Sequence, residues 1–178
     1  TGVGVLWGRG ELLEKMEPMI TGGSMIDHAT IESATWAKAP KKFEAGVPNM
    51  AQAVGLGAAL NYLTKIGMGK IHEHEEILVE RALTGLQNIS GVEIIGSKSS
   101  VNRGSAISFT IEGVHPHDVG QVLDDLGIAV RTGHHCAWPL TRKMGVPATT
   151  RASLYLYNDE SDIDALVAAT LGAQKYFA

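Results

Sequence analysis

The amino-acid sequence predicts an α/β fold, in which short strands alternate with helices. Two observations lead to this class. Apolar residues recur at helical spacing over residues 70–89 and again near the end of the chain, and several short strand-like runs lie between these segments. With 178 residues, 44% of them apolar, the chain is long enough to bury a hydrophobic core.

The first part of the chain predicts little regular structure. Residues 1–7, TGVGVLW, form a short β-prone run, and residues 11–17 predict one or two helical turns that Pro18 ends. Residues 21–49 are rich in Gly, Ser, Thr and Pro and lack sustained apolar periodicity. They predict a long ordered loop of the kind that compact domains keep for function.

Two helices are predicted after this loop. Residues 50–68 contain small and apolar side chains, and Gly55 and Gly57 would allow close packing against a neighbour. Residues 70–89 predict a helix with one polar face. Its apolar side chains are Ile71, Ile77, Leu78, Leu83 and Leu86.

Strands and helices alternate over the rest of the chain. The predicted strands cover residues 92–95, 106–111, 128–131 and 151–157, and a helix is predicted at residues 117–126. Asn158 and Asp159 begin a final helix whose inner face carries Ile163, Leu166, Val167 and Leu171. This alternation predicts an α/β or α+β sandwich.

Composition and charge exclude several classes of partner. The net charge is −4 and the 15 basic residues are scattered, so no basic stripe would bind nucleic acid or an anionic membrane. No apolar run approaches the roughly 20 residues of a membrane-spanning helix, and the start lacks a signal-peptide pattern, so we expect a cytoplasmic protein. A single cysteine forms neither an intramolecular disulfide nor a thiolate zinc site, and we predict no metal.

The only thiol lies in the segment VRTGHHCAWPL, residues 130–140, just after a predicted strand. Cationic and imidazole side chains stabilise a thiolate, so Cys136 is a candidate nucleophile beside Arg131, His134 and His135. The alternative is that Cys136 is a buried small hydrophobic residue. Consecutive residues of an extended backbone point to opposite sides, so we expect at most one of the two histidines to face the site.

Arg151 lies near the start of the segment TTRASLYLYN. If its side chain points inward it requires an anionic partner, and its planar guanidinium suits a carboxylate held at two points. That carboxylate is either the α-carboxylate of a substrate or an Asp or Glu in an ordinary salt bridge. The sequence leaves both readings open.

The segment FEAGVPN, residues 43–49, leads into the first long helix. Its glycine and proline fix a turn, and free N–H groups near a helix start can receive a phosphate. The alternative is that the segment is only a turn.

Together RTGHHCA, FEAGVPN and RASLYLYN closely resemble the motifs of group II (SufS-type) cysteine desulfurases, within the class V aminotransferase-like, fold-type I PLP enzymes. The resemblance extends to TGVGVLWGRGELL and GGSMI, and so covers essentially the whole chain. It implies a pyridoxal 5'-phosphate (PLP) enzyme that removes sulfur from L-cysteine for iron–sulfur cluster assembly, giving L-alanine and an enzyme persulfide. The implied partners are a second copy in a homodimer and a sulfur-acceptor protein of the SufE or SufU kind.

The resemblance also implies roles for individual residues. Cys136 matches the sulfur-accepting nucleophile, with His135 beside it in the catalytic loop. Arg151, together with Arg131, matches the position that binds the substrate carboxylate.

Two departures from the family pattern limit what this chain contributes. The family has threonine in place of Val47, so only backbone N–H groups of Gly46 and Val47 remain to reach the PLP phosphate of the other subunit. The family's cofactor-binding lysine precedes the TG that opens this chain. We therefore expect part of a longer enzyme, with residues 1–49 ending the large PLP-binding domain and residues 50–178 forming the connecting helix and C-terminal small domain.

Two other functions remain open from the sequence. Selenocysteine lyases share these motifs, and the sequence does not separate sulfur from selenium. In a different class, the chain could be a non-catalytic module that relays a persulfide or binds an acceptor protein through the Cys136 loop.

Overall fold

A computed structural model describes residues 2–177 and confirms the predicted α/β class. The chain divides into two compact units, Thr1–Lys65 and Ile66–Ala178. This boundary lies later than the expected one between residues 49 and 50, so the first long helix groups with the unit that precedes it.

The first unit contains more regular structure than the sequence predicts. Its elements are α1 (Gly10–Lys15), β1 (Ile26–Ala29), β2 (Ala34–Trp36), a 3₁₀ turn (Lys41–Phe43) and α2 (Met50–Ile66). Strands β1 and β2 pair antiparallel where a loop was predicted. The short helix at α1 is confirmed, whereas the β-prone run at the start forms no strand in the part that the structure describes.

The β1–β2 hairpin gives no periodic signal because nearly all of its side chains are exposed. In its turn the Thr30 N–H donates to the Ser33 carbonyl at 2.7 Å. The Thr30 hydroxyl also accepts from the Ser33 N–H at 3.0 Å. Local hydrogen bonds, not apolar burial, therefore define this hairpin.

Helix α2 buries none of its residues within its unit. A Cβ added at Gly55 or Gly57 would meet no atom within 4 Å. No atom of the described residues therefore packs closely on these glycines, and their close packing against a neighbour stays a prediction.

The second unit contains a four-stranded antiparallel sheet in the order β3-β4-β6-β5. Its elements are α3 (Met68–Gln87), β3 (Val92–Ile95), β4 (Ala106–Ile111), α4 (Pro116–Asp125), β5 (Arg131–Gly133), α5 (Trp138–Lys143), β6 (Thr149–Ser153) and α6 (Glu160–Phe177). The predictions for β3 and β4 match residue for residue, and those for α3, α4 and α6 match to within two residues at the ends they specified.

One face of this sheet packs against α3, α4 and α6 and forms the core. Strand β4, AISFTI, alternates so that Ile107, Phe109 and Ile111 are buried, as the period of a half-covered strand requires. In β6 the core side is taken by Thr150 and Ala152. The opposite face of the sheet therefore carries the polar side chains of the same strands.

Several predicted boundaries shift in the structure. Strand β5 begins at Arg131 and not at residue 128, because Ile128 closes the end of α4 with a bond from its N–H to the Leu123 carbonyl at 2.8 Å. Strand β6 ends at Ser153, and Tyr155 enters a turn instead. Helix α5 was not predicted, and Ile77, expected on the inner face of α3, is 59% exposed.

Helix α4 approaches the sheet closely at Gly120. A Cβ at this position would lie 2.6 Å from Cγ2 of Thr132 in β5. Only glycine allows α4 to pack this near to the strand that leads into the Cys136 loop.

Within residues 2–177, no helix has the length and apolar character needed to span a bilayer.

Candidate functional site

Three polar residues meet on the face of the sheet that points away from the core. Arg151 in β6 pairs with Ser108 in β4 on one side and with Arg131 in β5 on the other. Directly paired residues of antiparallel strands project to the same face. The register thus places two arginines on neighbouring strands of the same sheet face, where like charges directly opposite each other are unfavourable.

Neither of these arginines forms an ion pair with an Asp or Glu in residues 2–177, where the ion pairs involve Arg9 and Arg81. Arg151 is half-buried, and its Nε is buried without a hydrogen-bond partner in the same part of the chain. Such a donor is costly to leave unsatisfied. The salt-bridge alternative for Arg151 is therefore not realised within the described residues, and its role in binding an external anion stays a prediction.

The chain leaves β5 through a turn with an unusual backbone. His135 and Cys136 have φ angles of 54° and 62°, which are left-handed values at two successive residues that are not glycine. Each such residue costs roughly 1–2 kcal/mol relative to a right-handed conformation. The Ala137 N–H closes the turn on the His134 carbonyl at 2.9 Å. Strain held in this way is typical of functional loops.

The turn presents Cys136 to solvent as an exposed free thiol. This excludes the alternative that Cys136 is a buried hydrophobic residue. Arg131 Nη2 lies 3.7 Å from the Cys136 sulfur. The structure therefore brings Arg131 and Cys136 together, and the role of Cys136 as a nucleophile stays a prediction.

The His135 ring points back toward the sheet. Its Nε2 lies 2.8 Å from Oγ1 of Thr149 in β6, while Nδ1 is buried without a partner among residues 2–177. Burial lowers the pKa of His135 below the ordinary value, and the positive charges of Arg151 and Arg131 lower it further, against a smaller opposing contribution from Thr149. The imidazole is therefore neutral at neutral pH and able to accept a proton.

His134 takes a different position. Its ring stacks on the indole of Trp138, with centroids 3.8 Å apart and an angle of 14° between the planes. The Arg142 guanidinium lies 5.6 Å from the same indole. This stack fixes the loop to α5.

A cavity of about 280 Å³ lies beneath the turn, and its lining includes both histidines and Arg151. The expectation that at most one histidine would face the site is wrong, because the backbone at His135 is left-handed and not extended. The remaining lining residues are Ile95, Ser108, Ala137, Leu140, Thr141, Met144 and Thr149. An apolar wall with two unsatisfied polar atoms, His135 Nδ1 and Arg151 Nε, suits a small ligand with an anionic or polar group.

Sequence reasoning missed Ser108 and Thr149. Both look like ordinary strand residues, and only the strand register brings them beside Arg151 and His135. No local sequence signal identifies either of them.

The turn at Gly46 belongs to the first unit. Gly46 has a φ of 83°, and its N–H donates to the Gly23 carbonyl at 2.8 Å. Val47 is 85% exposed, and its N–H has no acceptor within residues 2–177. The Gly46 N–H is therefore already used, and a phosphate contact through the Val47 N–H stays a prediction.

Comparison with known proteins gives a consistent family. Residues 1–166 match the aminotransferase class-V family. A probable cysteine desulfurase of Streptomyces coelicolor is 55% identical over 99% of this chain and 42% of its own length. A probable cysteine desulfurase of Staphylococcus aureus is 47% identical over 100% of this chain and 43% of its own length. The chain thus spans less than half the length of these relatives.

Solved structures agree with this result. The cysteine desulfurase CsdA from Escherichia coli superposes with a TM-score of 0.90 at 38% identity, covering 100% of this chain and 44% of that one. The cystine C-S lyase C-DES, in complex with its product cysteine persulfide, gives a TM-score of 0.71 at 25% identity, covering 92% and 40%. Another C-DES structure has glycine covalently linked to its PLP cofactor. The chain belongs to the aminotransferase class-V family.

Proposed function

We propose that this chain supplies the sulfur-accepting part of a PLP-dependent cysteine desulfurase that converts L-cysteine to L-alanine. One observation carries the proposal: Arg131 and Arg151 stand on paired strands without an acidic partner in residues 2–177, beside the exposed Cys136 thiol. An amino-acid carboxylate and a nucleophile are the two groups that such a reaction must bring together. The matching relatives named as cysteine desulfurases support the same function.

The carboxylate of L-cysteine binds to Arg151 in this proposal. The unsatisfied Nε and the planar fork of the guanidinium can donate two parallel hydrogen bonds to one carboxylate. Arg131 adds a second positive charge and lies 3.7 Å from the Cys136 sulfur. The anion relieves the repulsion between the two arginines, so substrate binding and the stability of this sheet edge are coupled.

Cys136 acts as the nucleophile. Its thiolate attacks the sulfur of bound cysteine, an S–S bond forms, and the C–S bond of the substrate breaks. PLP, when bound, supplies the electron sink for the carbon skeleton that becomes alanine. Arg131 stabilises the anionic sulfur before attack, and exposure of the turn lets an acceptor protein reach the resulting persulfide.

His135 serves as a proton acceptor at the floor of the cavity. Its lowered pKa keeps the ring neutral, and its unsatisfied Nδ1 is the atom that would take a proton. Its second nitrogen is occupied by Thr149, which leaves one position for this role.

The chain also contributes to cofactor binding in a homodimer. The exposed turn at Val47 would hold the PLP phosphate of the other subunit through one backbone N–H. Valine cannot add the hydroxyl contact of a threonine at this position. The persulfide sulfur then passes to an acceptor of the SufE or SufU kind for iron–sulfur cluster assembly in the cytoplasm, a reducing compartment that suits an exposed free thiol.

Cys136→Ala tests this function in PLP-loaded protein that contains this chain. Alanine formation from L-cysteine should fall at least about 10³-fold, since removal of a catalytic nucleophile has effects of this size or larger. Ser153→Ala is the control, because Ser153 is an exposed residue of β6 that the proposed reaction does not use. Undiminished alanine formation in the Cys136 variant would refute the nucleophile. Activity with selenocysteine alone would favour a selenocysteine lyase, and absence of either activity a persulfide-relay module.

A further inference from the structure

We propose that Thr149 is a positioning residue, which holds the Cys136 loop in its reactive geometry through the His135 ring. The inference rests on the proposed function in one respect, since it takes Cys136 to be the nucleophile. Within the described residues, Thr149 forms no hydrogen bond with the Cys136 thiol or with the Arg151 guanidinium, so its role would be indirect.

Thr149 is well placed for this role. It is the first residue of β6 and pairs with Gly133, the last residue of β5, so it lies where the chain leaves the sheet. Its side chain is only 2% exposed, and its hydroxyl lies 2.8 Å from His135 Nε2. Because water has little access to this hydroxyl, the bond to the ring is not exchanged for solvent.

The loop requires an anchor of this kind. His135 and Cys136 both adopt left-handed backbone conformations, which L-residues leave when nothing holds them. The backbone of the turn contributes one bond, from the Ala137 N–H to the His134 carbonyl. Neither that bond nor the stack of His134 on Trp138 fixes the His135 side chain. The bond to Thr149 connects the His135 ring to the sheet, in addition to the 3.7 Å contact between Arg131 and the Cys136 sulfur.

Release of the His135 ring would change the surroundings of the thiol. The 3.7 Å approach of Arg131 Nη2 to the Cys136 sulfur exists only while the turn keeps its left-handed form. If the two residues relax to right-handed or extended values, the sulfur moves relative to β5, which carries Arg131. The thiol then loses the cation that stabilises its reactive form.

The same bond occupies one nitrogen of the imidazole. A hydroxyl can donate to Nε2 or accept from it, so the bond holds the orientation of the ring in either tautomer. Nδ1, the nitrogen that remains, lies buried in the wall of the cavity. Loss of the hydroxyl would therefore leave Nε2 without this partner.

The adjacent residue provides a matched control. Thr150 is also buried in β6, at 1% exposure, but its hydroxyl donates to the Pro116 carbonyl at 3.3 Å on the core side of the sheet. Valine has nearly the shape of threonine, so Thr149→Val and Thr150→Val each remove one buried hydroxyl from the same strand. Thr149→Ser keeps the hydroxyl and removes only the methyl group.

The experiment combines two measurements on folded PLP-loaded protein that contains this chain. The first is the rate of Cys136 alkylation by iodoacetamide, followed on the loop peptide by mass spectrometry. The second is the hydrogen bond on His135 Nε2, read from the NMR shift of that nitrogen. Neither measurement requires turnover of cysteine, so their failure is distinct from failure of the desulfurase proposal.

We expect Thr149→Val to slow alkylation of Cys136 by about fivefold, the factor that corresponds to one net hydrogen bond, and to change the NMR shift of His135 Nε2. Thr149→Ser should restore both properties, and Thr150→Val should leave both unchanged even if it lowers the melting temperature. Unchanged alkylation and an unchanged Nε2 shift in Thr149→Val would overturn the proposal. An equal loss in Thr150→Val, or no rescue by serine, would also overturn it by assigning the effect to general destabilisation.

Discussion

Arg81 and Arg151 lie in the same unit but differ in their charged partners. Arg81 in α3 donates from Nε and Nη2 to the two carboxylate oxygens of Asp164 in α6, each at 2.8 Å, and from Nη1 to Glu160 at 2.8 Å. Arg151 has a second arginine as its cross-strand neighbour and no acidic partner in the described part of the chain. The first is a satisfied surface network, and the second is a charge that still requires an anion.

The presence or absence of an acidic partner in the same chain distinguishes Arg81 from Arg151 more clearly than burial or position in the sequence does. An arginine that donates two hydrogen bonds to a carboxylate of the same chain no longer has those donors available for a ligand. Like charges on directly paired strand residues are unfavourable, and an anion bound between Arg131 and Arg151 would offset this cost. Substitutions at Arg81 and Arg151 should therefore affect different properties of the molecule.

Arg151→Lys should produce the largest effect of these substitutions. Lysine keeps the charge but cannot hold a carboxylate at two points, so we expect the KM for L-cysteine to rise about ten- to hundredfold in the PLP-loaded protein. Steady-state alanine formation measures this change.

Arg81→Lys is the matched control for that substitution, and its KM should equal that of the parent protein. Equal KM values for Arg151→Lys and the parent would return Arg151 to a purely structural role and remove the contrast between the two arginines.

Gly120→Ala should produce the next largest effect, on stability. The added methyl group would lie 2.6 Å from Thr132 Cγ2 in β5, so α4 and the strand that carries Arg131 must move apart. Gly172→Ala in α6 meets no atom within 4 Å and gains the same helix propensity. The two variants should therefore differ in free energy of unfolding by about 1–3 kcal/mol, the cost of overpacking.

Denaturant unfolding of both glycine variants measures that difference. A Gly120 variant as stable as the Gly172 variant would mean that the approach of α4 to β5 is not tight in solution.

Arg81→Met should produce the smallest effect. Arg81 holds the pKa of Asp164 below its ordinary value through hydrogen bonds and charge. A lowered carboxyl pKa stabilises the fold above the pKa of the unfolded chain, and this contribution is lost as the pH falls through the lowered folded pKa. The variant should thus melt slightly earlier than the parent at neutral pH, and the difference should shrink with acid and with added salt.

Melting temperatures measured as a function of pH test this point. A difference that persists unchanged below the pKa of Asp164 would show that Arg81 acts through packing of its aliphatic stem instead.

The sequence predicts much of the core because the spacing of apolar residues follows the geometry of strands and helices that bury one face. In β4, Ile107, Phe109 and Ile111 alternate with small or polar residues, and the structure places that strand at its predicted bounds. Helices α3 and α6 carry apolar residues at helical spacing. Helix α3 buries most of them, whereas α6 buries Ile163 and Leu166 and leaves Leu171 37% exposed. The β1–β2 hairpin has no comparable signal, since its side chains are largely exposed and its turn depends on local hydrogen bonds.

The sequence predicts those residues of the candidate site whose type alone indicates a chemical role. Cys136 beside Arg131 follows from their spacing, and the structure brings the two together. Ser108 and Thr149 depend on the register of strands that are distant in sequence. The left-handed backbone at His135 could not be foreseen either, because residues other than glycine adopt it only when tertiary contacts hold them.

The most direct test of the account is the mass of the peptide that contains Cys136 after PLP-loaded protein has turned over L-cysteine without an acceptor or reductant. The account predicts that this peptide gains one sulfur atom on Cys136, and that the gain disappears when Arg151 is replaced by alanine. Alanine production with Cys136 left as an unmodified thiol would contradict the account, because the sulfur would then have left the substrate by another route.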